Sequence, residues 1–276
     1  MKIDLDRLRP NRPEDTDMQI IHVGEGQFPA LIVDNFYRDP DHMREFALTL
    51  HYRIPPAVYP GHWAVVSLSL EPVVSFLYER FAHWYFPSAQ AMEAQATSWQ
   101  FFNSERRASG PPRPHSHRPH VDTGLLVGLV YLNKPEHCRG GTSLFRHKDT
   151  GAEAVFPLPV YEGRGGDGRP IDPAARERIW QHGVHRAYDR ALQAGQVADY
   201  ADYWKRITAT PGDEADNIID SSGGWELARV IEMKYNRLLL LPGFVLHSTH
   251  FRADWFGNTP ETWRLTQNFM FGWPAS

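Results

Sequence analysis

The chain has 276 residues, 42% hydrophobic and 13% aromatic, with nine Trp; this is long enough for one large domain with an enclosed site and too apolar for a disordered chain. Its net charge of −4 gives no global positive field for nucleic acid or an anionic membrane, so neither is expected as a partner. A single cysteine, Cys138, excludes an internal disulfide framework and a multi-cysteine metal site. It fits a reducing compartment, with the cytoplasm as the expected location.

No apolar run reaches the roughly 18 residues that span a bilayer, and the first residues carry acids where a signal peptide needs its apolar stretch. Phe28 to Phe36 reads as a strand, after which Asp39 and Pro40 supply an N-cap and a first-turn proline for a helix to about Leu50. Val74, Leu77, Phe81 and Trp84 then recur at helical spacing, predicting an amphipathic helix over 73–86. From Thr97 the pattern turns to β. A strand through Asn103 is followed by a connector rich in Pro and Arg (Arg106, Arg107, Arg113, Arg118) and a buried strand from Leu125 to Leu132. Residues 158–235 read as a mainly helical insertion, with Asp172 and Pro173 capping its clearest helix. Strands return at Arg237–Leu241, Phe244–Ser248 and Trp263–Phe271. The fold class expected is β-rich α+β, a single domain whose residues 1–96 support a core formed by 97–157 and 236–276.

Fourteen histidines make a metal site worth seeking, because neutral imidazole is the commonest metal ligand. His120 and Asp122 stand two apart, so on an extended chain they project from one face and can grip one ion. His247 ends an apolar run that would carry it into the interior, where an imidazole needs a partner or a metal. Two imidazoles and a carboxylate make the facial triad suited to Fe(II), with positions left open for cosubstrate and oxygen. Arg264 lies in an alternating strand and shares a face with Thr266 and Asn268. A guanidinium there calls for an anion, either a dicarboxylate cosubstrate or an Asp or Glu of the protein.

In order along the chain, His120-Val121-Asp122, Tyr131-Leu132-Asn133, Gly140-Gly141-Thr142-Ser143-Leu144-Phe145, His247 and Arg264 resemble the motifs of the Fe(II)/2-oxoglutarate-dependent dioxygenases, most nearly their prolyl-hydroxylase-like branch. That resemblance implies a double-stranded β-helix, or jelly roll, enclosing the metal. It implies that His120, Asp122 and His247 hold Fe(II), and that Arg264 and Tyr131 bind the distal carboxylate of 2-oxoglutarate. The reaction implied consumes O2 and 2-oxoglutarate, releases succinate and CO2, and hydroxylates a small molecule or peptide side chain. A carboxylate at Asp122 favours hydroxylation over halogenation.

His250 is the rival of His247 as the distal ligand. His115 and His117 sit in the Pro- and Arg-rich connector and are expected to line the entrance or face solvent, His182 and His185 lie on one predicted helix without a third ligand, and Cys138 lacks a catalytic partner. A cupin-like metal-binding isomerase, or a non-catalytic ligand-binding jelly roll, is the alternative function; it would have no use for a carboxylate clamp at Arg264. A metal-dependent hydrolase is a third reading. The insertion and the arginine-rich connector are expected to form the substrate walls.

Overall fold

The computed structural model describes residues 5–53, 62–96, 100–105, 118–210, 218–257, 259 and 261–276. The expected connector with Arg106, Arg107, Arg113, His115 and His117 lies outside the described residues. In chain order the elements are β1 (Asp17–Val23), β2 (Phe28–Asp34), α1 (Pro40–Thr49), β3 (His62–Val66), α2 (Glu71–Arg80), α3 (Ala89–Ala94), β4 (Gln100–Glu105), β5 (Leu126–Tyr131) and β6 (Gly141–His147). They continue with α4 (Leu158–Tyr161), α5 (Pro173–Ile179), α6 (His185–Gln193), α7 (Tyr200–Thr208), β7 (Trp225–Glu232), β8 (Leu238–Pro242), β9 (His247–His250) and β10 (Arg264–Phe271). The fold is a mixed α+β arrangement with a β-rich core.

Seven strands form one antiparallel sheet in the order β1-β2-β8-β5-β10-β4-β3, and three form a second in the order β7-β6-β9. Strands β2 and β8 read as unbroken apolar runs because they are interior strands covered on both faces; Leu31, Val33, Leu238, Leu239 and Leu240 are fully buried. The large sheet sorts its side chains by parity along β10. Gln267 accepts from the Tyr37 hydroxyl at 2.6 Å and Phe271 meets Phe86, so the odd positions face the N-terminal helical layer. The even positions face the small sheet. Arg264 donates to the Gly141 carbonyl of β6 at 3.3 Å, and across from Thr266 the Tyr131 hydroxyl lies 2.8 Å from Thr142 Oγ1 of β6.

In the N-terminal part the capping signal holds and one helix boundary is corrected. Asp39 caps α1 by accepting from the His42 backbone N–H at 2.9 Å. The helix expected over 73–86 is shorter: α2 stops at Arg80, where Phe81 leaves helical geometry with φ −148°. Leaving the helix lets Phe81 and Tyr85 turn into the core while the Tyr85 hydroxyl donates to the Pro29 carbonyl. Strands β1 and β3 lie at the two edges of the large sheet, where one-sided burial weakens the apolar pattern that marks a strand.

The segment expected to be mainly helical carries α4 to α7, and its boundary is corrected at the C-terminal end: residues 225–232 form β7. Glu, Leu, Ala and Arg within that strand favour helix on propensity, and pairing with β6 overrides it. The long helix expected after Asp172 also breaks into α5 and α6 at Gly183, whose α-carbon lies against Gly26; a Cβ there would stand 2.5 Å from the Gly26 Cα. The helical segment is held together by rings, with Tyr161 stacked on Tyr200 at 3.6 Å and Trp180 beside both. Arg190 of α6 ties it to the β1–β2 turn through both oxygens of Glu25. Among the described residues, no helix is long and apolar enough to cross a membrane.

Candidate metal centre

His120 lies beside the free edge of β9. It exchanges two backbone hydrogen bonds with His247, each 2.9 Å, and so extends the small sheet by one bridge. Two residues on, the Asp122 N–H donates to the Gly243 carbonyl at 2.8 Å, keeping the chain alongside the segment that leads into β9. Gly243 is required by close approach, since a Cβ there would lie 2.2 Å from the Gly124 carbonyl oxygen.

These backbone contacts bring His120, Asp122 and His247 together: one ligand atom from each lies within 4.8 Å of the others. The two rings are 4.7 Å apart at their centroids, and His247 Nε2 lies 3.3 Å from Asp122 Oδ2. Each imidazole is oriented by its second nitrogen. His120 Nδ1 lies 2.9 Å from the Arg118 carbonyl and His247 Nδ1 lies 2.8 Å from the Val245 carbonyl. A carbonyl can only accept, so Nδ1 carries a proton in both rings and Nε2 is the nitrogen turned to the site; on His120 it is free to donate its electron pair, and on His247 it would do so once the proton it shares with Asp122 is displaced by a metal.

The charges agree with that donor set. Burial raises the Asp122 carboxyl, but the hydrogen bond from His247 and the charges of both imidazoles outweigh it, so its pKa is lowered. For His247 burial works downward and the Asp122 carboxylate outweighs it, raising the pKa. His120 is the most exposed of the three as a residue, yet its ring is crowded enough by protein atoms to be desolvated. That desolvation, then His247, lowers its pKa. A neutral imidazole, an ionised carboxylate and an imidazole that gives up its proton to an incoming cation fit a divalent metal.

Strand register separates the two candidate distal histidines. Leu144 pairs with His247, Thr142 with Thr249 and Ser143 with Ser248. Since Thr142 meets Tyr131 of the large sheet, His247 shares the face that looks between the sheets. His250 takes the other face, where its Nδ1 lies 2.7 Å from Ser143 Oγ and its ring meets Trp255.

Arg264 and Tyr131 come together on the facing sheet. The Arg264 guanidinium carbon lies 5.6 Å from the centre of the Tyr131 ring, and Arg264 is 3% exposed. Asn133 fixes the start of β10 by accepting from the Leu265 N–H and donating to the Trp263 carbonyl. The glycine pair at the start of β6 has both reasons to be glycine. Gly140 and Gly141 have φ of +73° and +152°, and a Cβ on either would lie 2.0 Å from a carbonyl oxygen, of His250 and Ile231 respectively.

Two other histidines weighed from the sequence serve elsewhere. His182 packs against Phe28 and Trp84, and His185 hydrogen-bonds the Trp180 carbonyl. Burial pushes the Cys138 thiol up, and its sulfur lies 3.4 Å from the Asn133 carbonyl oxygen. Two partners of the site carry no sequence signal of their own, the carbonyls of Arg118 and Val245; Thr142, beneath Tyr131, belongs to the glycine-led motif at the start of β6.

Comparison with known proteins adds a family and a distant structural likeness. The model of the "Family of unknown function (DUF6445)" matches residues 14–159, more than half of the chain, a span that includes His120, Asp122 and Tyr131 and ends before His247 and Arg264. No curated protein matches. Among solved structures the chain is similar to one described as the non-heme alpha ketoglutarate dependent carbocyclase SnoK from nogalamycin biosynthesis. The two are 12% identical, with 89% of this chain and 82% of that chain covered and a TM-score of 0.39, too distant a likeness to bear on fold or function. The chain belongs to the family of unknown function DUF6445.

Proposed function

We propose that this protein is an Fe(II)- and 2-oxoglutarate-dependent dioxygenase that hydroxylates a small molecule or peptide side chain. The observation that carries the reading is the trio of His120, Asp122 and His247, with both imidazoles committed through Nδ1 to backbone carbonyls and presenting Nε2. The two antiparallel sheets around it are read as a double-stranded β-helix in which the helical segment between β6 and β7 is an insertion.

The position of Arg264 supports the cosubstrate. It contacts β6 at Gly141, and His247 pairs with β6 at Leu144. Three residues of a strand span about 10 Å, a separation that a dicarboxylate held by the metal at one end and by a guanidinium at the other can bridge. Tyr131, whose ring lies beside the Arg264 guanidinium, would add its hydroxyl at that end. In this reading His120, Asp122 and His247 would hold Fe(II), which supplies oxygen activation coupled to decarboxylation of 2-oxoglutarate.

The test is succinate formation from 2-oxoglutarate under air, with and without Fe(II), in wild type and Arg264→Lys. Iron-dependent succinate is expected, and the variant keeps the charge but loses the planar fork, raising the 2-oxoglutarate requirement at least ten-fold. Metal uptake with no consumption of 2-oxoglutarate would favour a cupin-like isomerase or ligand-binding protein.

A further inference from the structure

Across the small sheet, Leu144 of β6 stands opposite His247 of β9 on one side and Arg229 of β7 on the other, while His120 bridges His247 beyond. Residues directly opposite in an antiparallel pair share a face. Arg229, Leu144, His247 and His120 therefore form one row on the face that looks between the sheets. Leu144 and Ile231 are buried on that face, and Arg229 is exposed at the sheet's edge. Two strand spacings, about 10 Å, separate its backbone from that of His247, and its side chain is long enough to close much of that gap.

Arg229 differs from the arginines that fasten this fold. Arg190, Arg206 and Arg237 are each held by a carboxylate, of Glu25, Asp149 and Asp34. Among the described residues none accepts from Arg229. Of the acids on its own strand, Glu232 stands opposite Gly141 on the other face, and Glu226 stands opposite Arg146, beyond a register shift that separates it from Arg229.

The facing wall is apolar and open. Strands β5 and β10 have neighbours on both sides, yet Val127, Leu129, Asn268 and Met270, all on the inner face, stay partly exposed. This wall adjoins the metal-binding segment: Met270 packs so closely on Gly124, two residues after Asp122, that a Cβ there would lie 2.4 Å from Met270 Cγ.

We propose that the primary substrate is a small amphipathic carboxylate, with its apolar body against Val127, Leu129 and Met270 and its anion held by Arg229, which thereby determines specificity. One planar guanidinium matches one carboxylate in charge and in its paired donors. The proposal rests on the dioxygenase reading of the same site.

The experiment is calorimetric titration of octanoate and of octanamide, anaerobically, into wild type, Arg229→Gln and Arg229→Lys. Each protein is first brought to a full visible Fe(II)·2-oxoglutarate band, so that failure of the cosubstrate site shows separately. Octanoate is expected to bind wild type at least ten-fold more tightly than octanamide. The glutamine variant is expected to lose that preference with octanamide affinity unchanged, and the lysine variant to recover part of it. No octanoate binding by wild type, equal binding of the two probes, or a preference that survives in R229Q overturns the proposal. If wild type gives no band, the dioxygenase reading falls and the substrate assignment falls with it.

Discussion

His120 and His247 exchange both of their backbone hydrogen bonds, 2.9 Å in each direction, so two residues far apart in sequence become direct neighbours across a sheet edge. Side chains opposed in this way lie close enough to share one ion. The carbonyls of Arg118 and Val245 then turn the two rings so that both Nε2 atoms serve as donors. Metal binding in this account is a property of strand pairing, and Asp122 joins through its own backbone bond to Gly243.

The opposite faces of β9 separate its two histidines in function. Replacing His247 by Ala is expected to lower Co(II) affinity at least a hundred-fold, whereas His250→Ala loses one hydrogen bond to Ser143. The latter should cost about 1 kcal/mol of stability and leave Co(II) affinity within two-fold. Calorimetric titration of both variants measures this; equal losses would contradict the register.

Gly243→Ala tests the backbone that carries Asp122. The added methyl would meet the Gly124 carbonyl at 2.2 Å and the Asp122 Cβ at 3.4 Å, forcing the Asp122 segment away from β9. A stability loss of about 1–3 kcal/mol is expected from the overpacking, together with a fall in Co(II) affinity. An affinity equal to wild type would show that this close approach does not position the carboxylate.

The ion group of Asp34, Arg237 and Lys234 fastens β2 to the entry of β8. Burial raises the Asp34 carboxyl, and the hydrogen bonds and charges of Arg237 and Lys234 outweigh it, so its pKa falls below the ordinary aspartate value of 3.8. A carboxyl depressed on folding adds stability above its unfolded pKa, and that contribution disappears as pH falls through the folded value. Asp34→Asn is therefore expected to cost about 1–2 kcal/mol at pH 7, solvent screening included, and progressively less once the pH falls below 3.8. Urea midpoints of the two proteins along an acid series measure the gap; a gap that widened toward acid would contradict the pairing.

How much of this was legible in the sequence differs by element. The caps at Asp39 and Asp172 are local devices, and both work as their residue types require, accepting from the backbone N–H of His42 and Ala174. Strand β8 was visible because both its faces are buried, and β5 because it is an apolar run throughout. Strand β7 was not, because its edge position exposes Glu226, Arg229 and Glu232 and its helix-favouring residues obey their partner β6 instead. At the site, the two-residue spacing of His120 and Asp122 was readable in one dimension. The choice of face for His247 against His250 depends on pairing with Ser143 and Leu144, a long-range fact that no local pattern encodes. The same holds for Arg229, whose place in the metal row appears only once β6 stands between β7 and β9.

The central claim is that the metal trio and Arg264 form one cosubstrate site. Its most direct test is the visible spectrum of the protein under anaerobic conditions with Fe(II) and 2-oxoglutarate, in wild type and His120→Ala. The account expects the weak charge-transfer band of a chelated keto acid in wild type and its loss in the variant. Iron uptake by wild type with no band on adding 2-oxoglutarate would contradict it.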